Sequence, residues 1–219
     1  MLSQKVIANV TAEFARVYNI PEGHTSVGFF STDNDDIGYL AVDDASKKAN
    51  IKLIHAQTYY GGSICSWSKY GGSVFVLFSG PKVEDVKSGL RYIKDFIENH
   101  SELCNFDGDE GTAFYAQTIP RPGKYFQEWC DIKPGESYAY LVGGPIETNY
   151  ALDKALKAGN TRVARYWYPP SHANSSGAVL AGTESACRAA TTAFIEALEY
   201  AIKNPLETVS YTHLTLPTN

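Results

Sequence analysis

The sequence predicts an α/β (α+β) protein made of two copies of one unit, and three observations carry that prediction. An apolar strand closed by glycine and followed by a long amphipathic helix occurs twice. The segments upstream of the two strands superpose at a constant offset. The composition, 44% hydrophobic and 13% aromatic over 219 residues, belongs to a globular chain able to bury a core in one large domain or two small ones.

In chain order, residues 1–5 lead straight into a strand-like segment, without the apolar stretch and cleavage site of a signal peptide, so a cytosolic protein is expected. Ala41, Asp43, Ala45, Lys47 and Asn50 lie over Ala151, Asp153, Ala155, Lys157 and Asn160 at an offset of 110, and each copy then enters a β-rich segment, 51–54 and 161–166. A loop of small residues follows in both. The apolar strands come next, 74–78 closed by Gly80 and 178–181 closed by Gly182, at an offset of 102. Val83, Val86, Leu90, Ile93 and Ile97 then share one helical face, with Pro81 expected in the first turn. In the second copy Thr183 is the expected N-cap of a helix through Ala193, Ile195, Leu198 and Ile202, with Pro205 just past its end. The polar stretch 101–111, whose residues 107–111 have linker composition, separates the copies.

A formal charge of −5 with no Lys/Arg cluster argues against nucleic acid and anionic membranes as partners. The longest apolar run, 74–78, is far short of a membrane span and reads as a buried strand. Cys65, Cys104, Cys130 and Cys187 form no CxxC pair, so reduced thiols are expected.

Chemistry is sparse. Asp33, Asn34, Asp35 and Asp36 open like a calcium loop, but Ile37 and Asp44 stand where ligand oxygens are required, so a solvated turn or a small polar-ligand site is the better reading. A carboxylate there is suited to pairing with an amine. Two loops in equivalent places, 58–72 and 168–177, combine glycine with aromatic and hydroxyl groups, a composition that suits either a gate or an ordinary surface loop. No phosphate-binding glycine motif and no nucleophile elbow is present. The five histidines lack metal spacing, and the aromatic group Tyr125, Phe126, Trp129, Tyr138 and Tyr140 reads as core or subunit interface. Neither a catalytic residue nor a metal site is predicted.

Several separated stretches carry a resemblance: residues 6–10 with Glu13, Phe14, Ala15 and Arg16, the 31–36 turn, Ser79, Gly80 and Pro81, residues 139–142, and residues 186–190. With these, the chain resembles the EutL family, the trimeric tandem-domain shell proteins of ethanolamine-utilization bacterial microcompartments. The resemblance implies two circularly permuted microcompartment-shell (BMC) domains, each a ferredoxin-like sheet with helices, over residues 1–106 and 107–207. It implies a non-enzymatic homotrimer that looks like a hexamer, tiles with other shell proteins in a cytoplasmic microcompartment shell, and passes metabolites through a gated central pore. The pore loops map onto Tyr59, Tyr60, Gly61, Gly62, Ser63, Trp67, Lys69, Tyr70, Gly71 and Gly72, and onto Pro169, Pro170, Ser171, His172 and Asn174. The ethanolamine contacts map onto Asp35, Ser73, where a serine replaces the family's acid, and the backbone near Leu103. No cofactor is required; ethanolamine and cobalamin are the candidate ligands. Residues 208–219 depart from the family and read as translated vector sequence. The competing expectation is a stand-alone amine- or cobalamin-binding regulatory protein.

Overall fold

Two antiparallel sheets, each backed by helices, follow one another along the chain in the computed structural model, which describes residues 1–59, 72–101, 103–106, 113–169 and 175–206. The first repeat comprises β1 (Ser3–Ile7), α1 (Ala12–Val17), β2 (Ser26–Thr32), α2 (Asp35–Ser46), β3 (Lys52–Tyr59), β4 (Ser73–Gly80) and α3 (Val83–Asn99). The second runs in the same order: β5 (Tyr115–Ile119), α4 (Lys124–Trp129), β6 (Ser137–Gly143), α5 (Pro145–Ala158), β7 (Arg162–Trp167), β8 (Ser176–Gly182) and α6 (Glu184–Lys203). The strand orders β1-β2-β4-β3 and β5-β6-β8-β7 are the same topology. Irregularities recur too. Both β3/β4 and β7/β8 shift register at matching places, between Leu53 and His55 and between Val163 and Arg165. Both short helices are followed by a residue at positive φ, Asn19 and Asp131, types that tolerate the left-handed region.

Central strands are buried and edge strands half-exposed, which is why 74–78 reads as a continuous apolar run. In the first repeat Val86, Leu90 and Ile93 of α3 pack with Ala41, Val42 and Ala45 of α2 on Phe30, Val76 and Phe78. In the second, α5 and α6 cover Ala139, Leu141 and Leu180 in the same way. The buried stripe of α6 is Cys187, Ala190, Phe194 and Leu198; Ala193 and Ile195 flank it. Thr183 caps α6 by accepting the Ala186 N–H at 3.2 Å. Pro81 lies ahead of α3 rather than in its first turn. Lys82 is the N-cap because the Asp85 carboxylate accepts its N–H at 3.2 Å, which starts the helix at Val83.

Helix α2 joins the repeats. Leu40 enters the apolar cluster on the far face of the second sheet, and Tyr39 lies over Tyr125 and Trp129 at ring separations of 6.2 and 5.5 Å. Asp43, only 1% exposed, accepts the backbone N–H groups of Gly123 (2.7 Å) and Phe126 (3.2 Å) and pairs with Lys47 at 3.4 Å. Its carboxylate thus caps α4 from the other repeat. Glycine is required at 123, since a Cβ there would collide with the Asp43 carboxylate.

Candidate ligand site between the repeats

Asn34 decides where the acidic run goes. Extended in backbone, it accepts the Ile37 N–H at 2.8 Å and starts α2 at Asp35, placing Asp35 and Asp36 in the first turn, where unpaired N–H groups and the helix dipole favour negative charge. This corrects the expectation of a solvated turn. Asp33 alone of the run is exposed, whereas Asn34 and Asp35 are buried because the chain passes from β2 directly into a helix docked on the second repeat.

In front of the two acids lies a cavity of about 400 Å³. Tyr39 and Thr58 line it from the first repeat, and Trp129, Tyr140, Val142, Arg165, Tyr166, Trp167 and Tyr168 from the second. Thr58 Oγ1 donates to Asp35 Oδ2 at 2.7 Å and lies 2.8 Å from the Tyr39 hydroxyl. Its single proton is committed to Asp35, so Tyr39 is the donor to Thr58. The Tyr140 hydroxyl donates to Asp36 Oδ1 at 2.5 Å. Burial, and after it the charge of Asp35, pushes Asp36 up to about 8 against the opposing pull of Tyr140. At neutral pH the Asp36 carboxyl is therefore largely protonated. Burial also lifts the Tyr39 hydroxyl, and lifts Tyr140 well above the ordinary tyrosine range. Across the cavity, Arg165 donates to the Trp129 carbonyl at 2.9 Å and stacks on the Trp129 ring, 4.4 Å from its centroid.

Of the residues mapped to ethanolamine, Asp35 lines the cavity and the other two do not. Ser73 is buried at the start of β4, opposite Tyr59, and Leu103 packs against the apolar cluster of the second sheet. Tyr59 belongs to strand β3, where its hydroxyl lies 3.0 Å from Ser31 Oγ, rather than to a loop. Gly72 is buried directly before β4, and Pro169 is exposed after β7. Tyr60, Gly61, Gly62, Ser63, Trp67, Lys69, Tyr70, Gly71, Pro170, Ser171, His172 and Asn174 lie outside the described residues, as do 208–219. Sequence reasoning missed Tyr39, Arg165 and Trp167, placed Thr58 at the start of a loop where the structure has strand β3, and assigned Trp129 and Tyr140 to core or interface. The available signal was asymmetry between the copies, with Arg165 and Trp167 standing where the first copy has His55 and Gln57.

Among the described residues no cluster of His, Cys, Asp and Glu is built to hold a metal, and no helix is long and apolar enough to cross a membrane. His24 Nδ1 lies 2.7 Å from Ser79 Oγ, but Ser79 is fully buried and away from the cavity.

Residues 26–106 match the BMC domain family. The chain is 38% identical over 206 residues to the bacterial microcompartment shell protein EutL of Clostridium perfringens, covering 94% of this chain and 95% of that protein. It is 36% identical over 205 residues to EutL of Escherichia coli K12, covering 94% of each. The crystal structure of the ethanolamine utilization protein EutL from Leptotrichia buccalis superposes with a TM-score of 0.87 at 40% identity, over 94% of this chain and 95% of that one.

Proposed function

Because the chain belongs to the EutL family of bacterial microcompartment shell proteins, and so is a structural shell component rather than an enzyme, we propose that it forms a homotrimeric tile of a cytoplasmic shell. Each chain supplies two shell domains, 1–106 and 107–207, and three chains make a ring of six around a pore that passes small metabolites. The observation that carries the trimer is the unequal covering of the two repeats. The far face of the second sheet is covered by α4 and by Leu40 of the first repeat, whereas Phe29 and Phe75 of the first sheet remain partly exposed. The helix that would supply the matching cover, α5, presents Ile146 at 80% exposure. A neighbouring chain docked as the first repeat docks on the second would bury both.

The pore loops are assigned to the β3–β4 and β7–β8 connections, which leave the same end of equivalent hairpins. Ethanolamine binds at Asp35 and biases those loops, which requires different affinity for the open and closed arrangements. The acid pair in a partly open cavity supports an amine. Its volume of about 400 Å³ suits a small ligand and is too small for a whole cobalamin.

Light scattering on the intact protein tests the assembly: about three times the 24.0 kDa chain is expected, and a strict monomer at all concentrations overturns it. Titration calorimetry with ethanolamine, on wild type and Asp35→Asn, tests the ligand. Binding is expected to weaken at least about tenfold in the variant, in line with loss of a charge-assisted contact; equal affinity removes Asp35 from the site. A monomer that still bound ethanolamine would favour the stand-alone binder, for which the placement of the cavity within one chain speaks.

A further inference from the structure

We propose that the cavity between the repeats is a cage for N-alkylated organic ammonium ions, up to quaternary ammonium alcohols, rather than a site for a primary amine alone. This rests on the reading that the acid pair holds an amine. The acids occupy one part of the wall and the side chains of Tyr39, Trp129 and Trp167 line it elsewhere, with the fully buried Tyr140 bonded to Asp36. Ring faces carry negative potential and attract a cation whose charge is spread over methyl groups, while the methyls bury apolar surface against the same rings.

The hydrogen bonding admits the same class. Thr58 already donates to Asp35, and Tyr140 to Asp36. One bond leaves a carboxylate further acceptor capacity, so the acids serve a primary ammonium and a quaternary one alike, and the preference between them rests on the rings. Ethanolamine has four heavy atoms, and a cavity of about 400 Å³ leaves room for three methyls on its nitrogen. The wall also holds a cation of its own, since the Arg165 guanidinium lies on the Trp129 ring. That charge orients the ligand: ammonium toward Asp35 and Asp36, and hydroxyl oxygen toward the guanidinium.

The test is calorimetry on the full chain at pH 7 with ethanolamine, its N-methyl and N,N-dimethyl derivatives, and choline. Affinity is expected to rise with each methyl, by up to about fourfold if the methyl is fully buried, so that choline binds tighter than ethanolamine by up to about sixtyfold. Trp167→Leu is expected to flatten the series, and Trp167→Phe, which keeps a ring, to preserve it. If ethanolamine binds and affinity falls as methyls are added, the cage is wrong and the amine reading stands. If none of the four binds, both are wrong, and if choline binds without ethanolamine, only the cage survives. The wild-type series decides the matter should Trp167→Leu fail to fold.

Discussion

The two repeats share a backbone and differ in what their matched surfaces carry. Where α2 begins with Asp35 and Asp36, α5 begins with Pro145 and Ile146. Facing the acids in the second repeat are Tyr140, Arg165 and Trp129; the matching places in the first repeat hold Phe29, His55 and Val17. One combination makes a partly open cavity lined by charged groups. The other leaves apolar side chains in the open, with Val17 at 62% exposure. The short helices show the same division: α1 is capped by its own Thr11, whereas α4 has Gly123 at its N-cap and takes its capping carboxylate from Asp43 across the junction. Duplication supplies the shape twice, and a handful of differences gives one copy of the junction an acid-lined cavity and leaves the other with exposed apolar side chains.

The sharpest way to break that comparison is Ile146→Glu. A charge at the centre of the proposed docking face is expected to leave a folded monomer by light scattering, with unchanged circular dichroism; a persistent trimer would show that α5 does not repeat the part played by α2. Asp43→Ala leaves two buried N–H groups without an acceptor and is expected to cost about 2–4 kcal/mol in chemical denaturation. Its counterpart Asp153→Ala removes only a surface pair with Lys157 and should stay within about 0.5 kcal/mol. Similar losses at both would mean the junction is not the special one.

The pH dependence separates the repeats further. Asp36 binds its proton more tightly folded than unfolded, so its contribution to stability is greatest below about pH 4 and declines as pH rises toward 8, where folding requires a buried charge. Relative to wild type, Asp36→Asn should therefore gain stability across that window, read as melting temperature from pH 4 to 9. Parallel curves would place the titration elsewhere. Small effects belong to two threonine caps, one in each copy but on different helices. Thr11→Ala and Thr183→Ala should each cost about 1 kcal/mol, since each hydroxyl satisfies a single helix N–H.

Much of the fold is legible in the chain because duplication leaves an offset that needs no alignment, and because 74–78 and the stripe of α3 follow the periods of a buried strand and an amphipathic helix. Helices α1 and α4, six residues each, are too short to show a period. The acid run is legible as composition but not as environment. What buries it arrives from far along the chain: Tyr140 lies 104 residues from Asp36. No local pattern encodes that meeting. Arg165 and Trp167 look like ordinary edge-strand residues until the second sheet is laid against α2.

The reach of Asp43 has a consequence for how the protein is made. Its backbone partners lie 80 and 83 residues downstream, so at about 5–20 residues per second on the order of ten seconds passes between the synthesis of Asp43 and that of the N–H groups that satisfy it. During that interval the N-terminus of α4 on a neighbour whose own repeats have not yet docked offers the same two groups. Copies made side by side thus have a built-in route to exchange halves, and the separately expressed halves have a built-in reason to find each other.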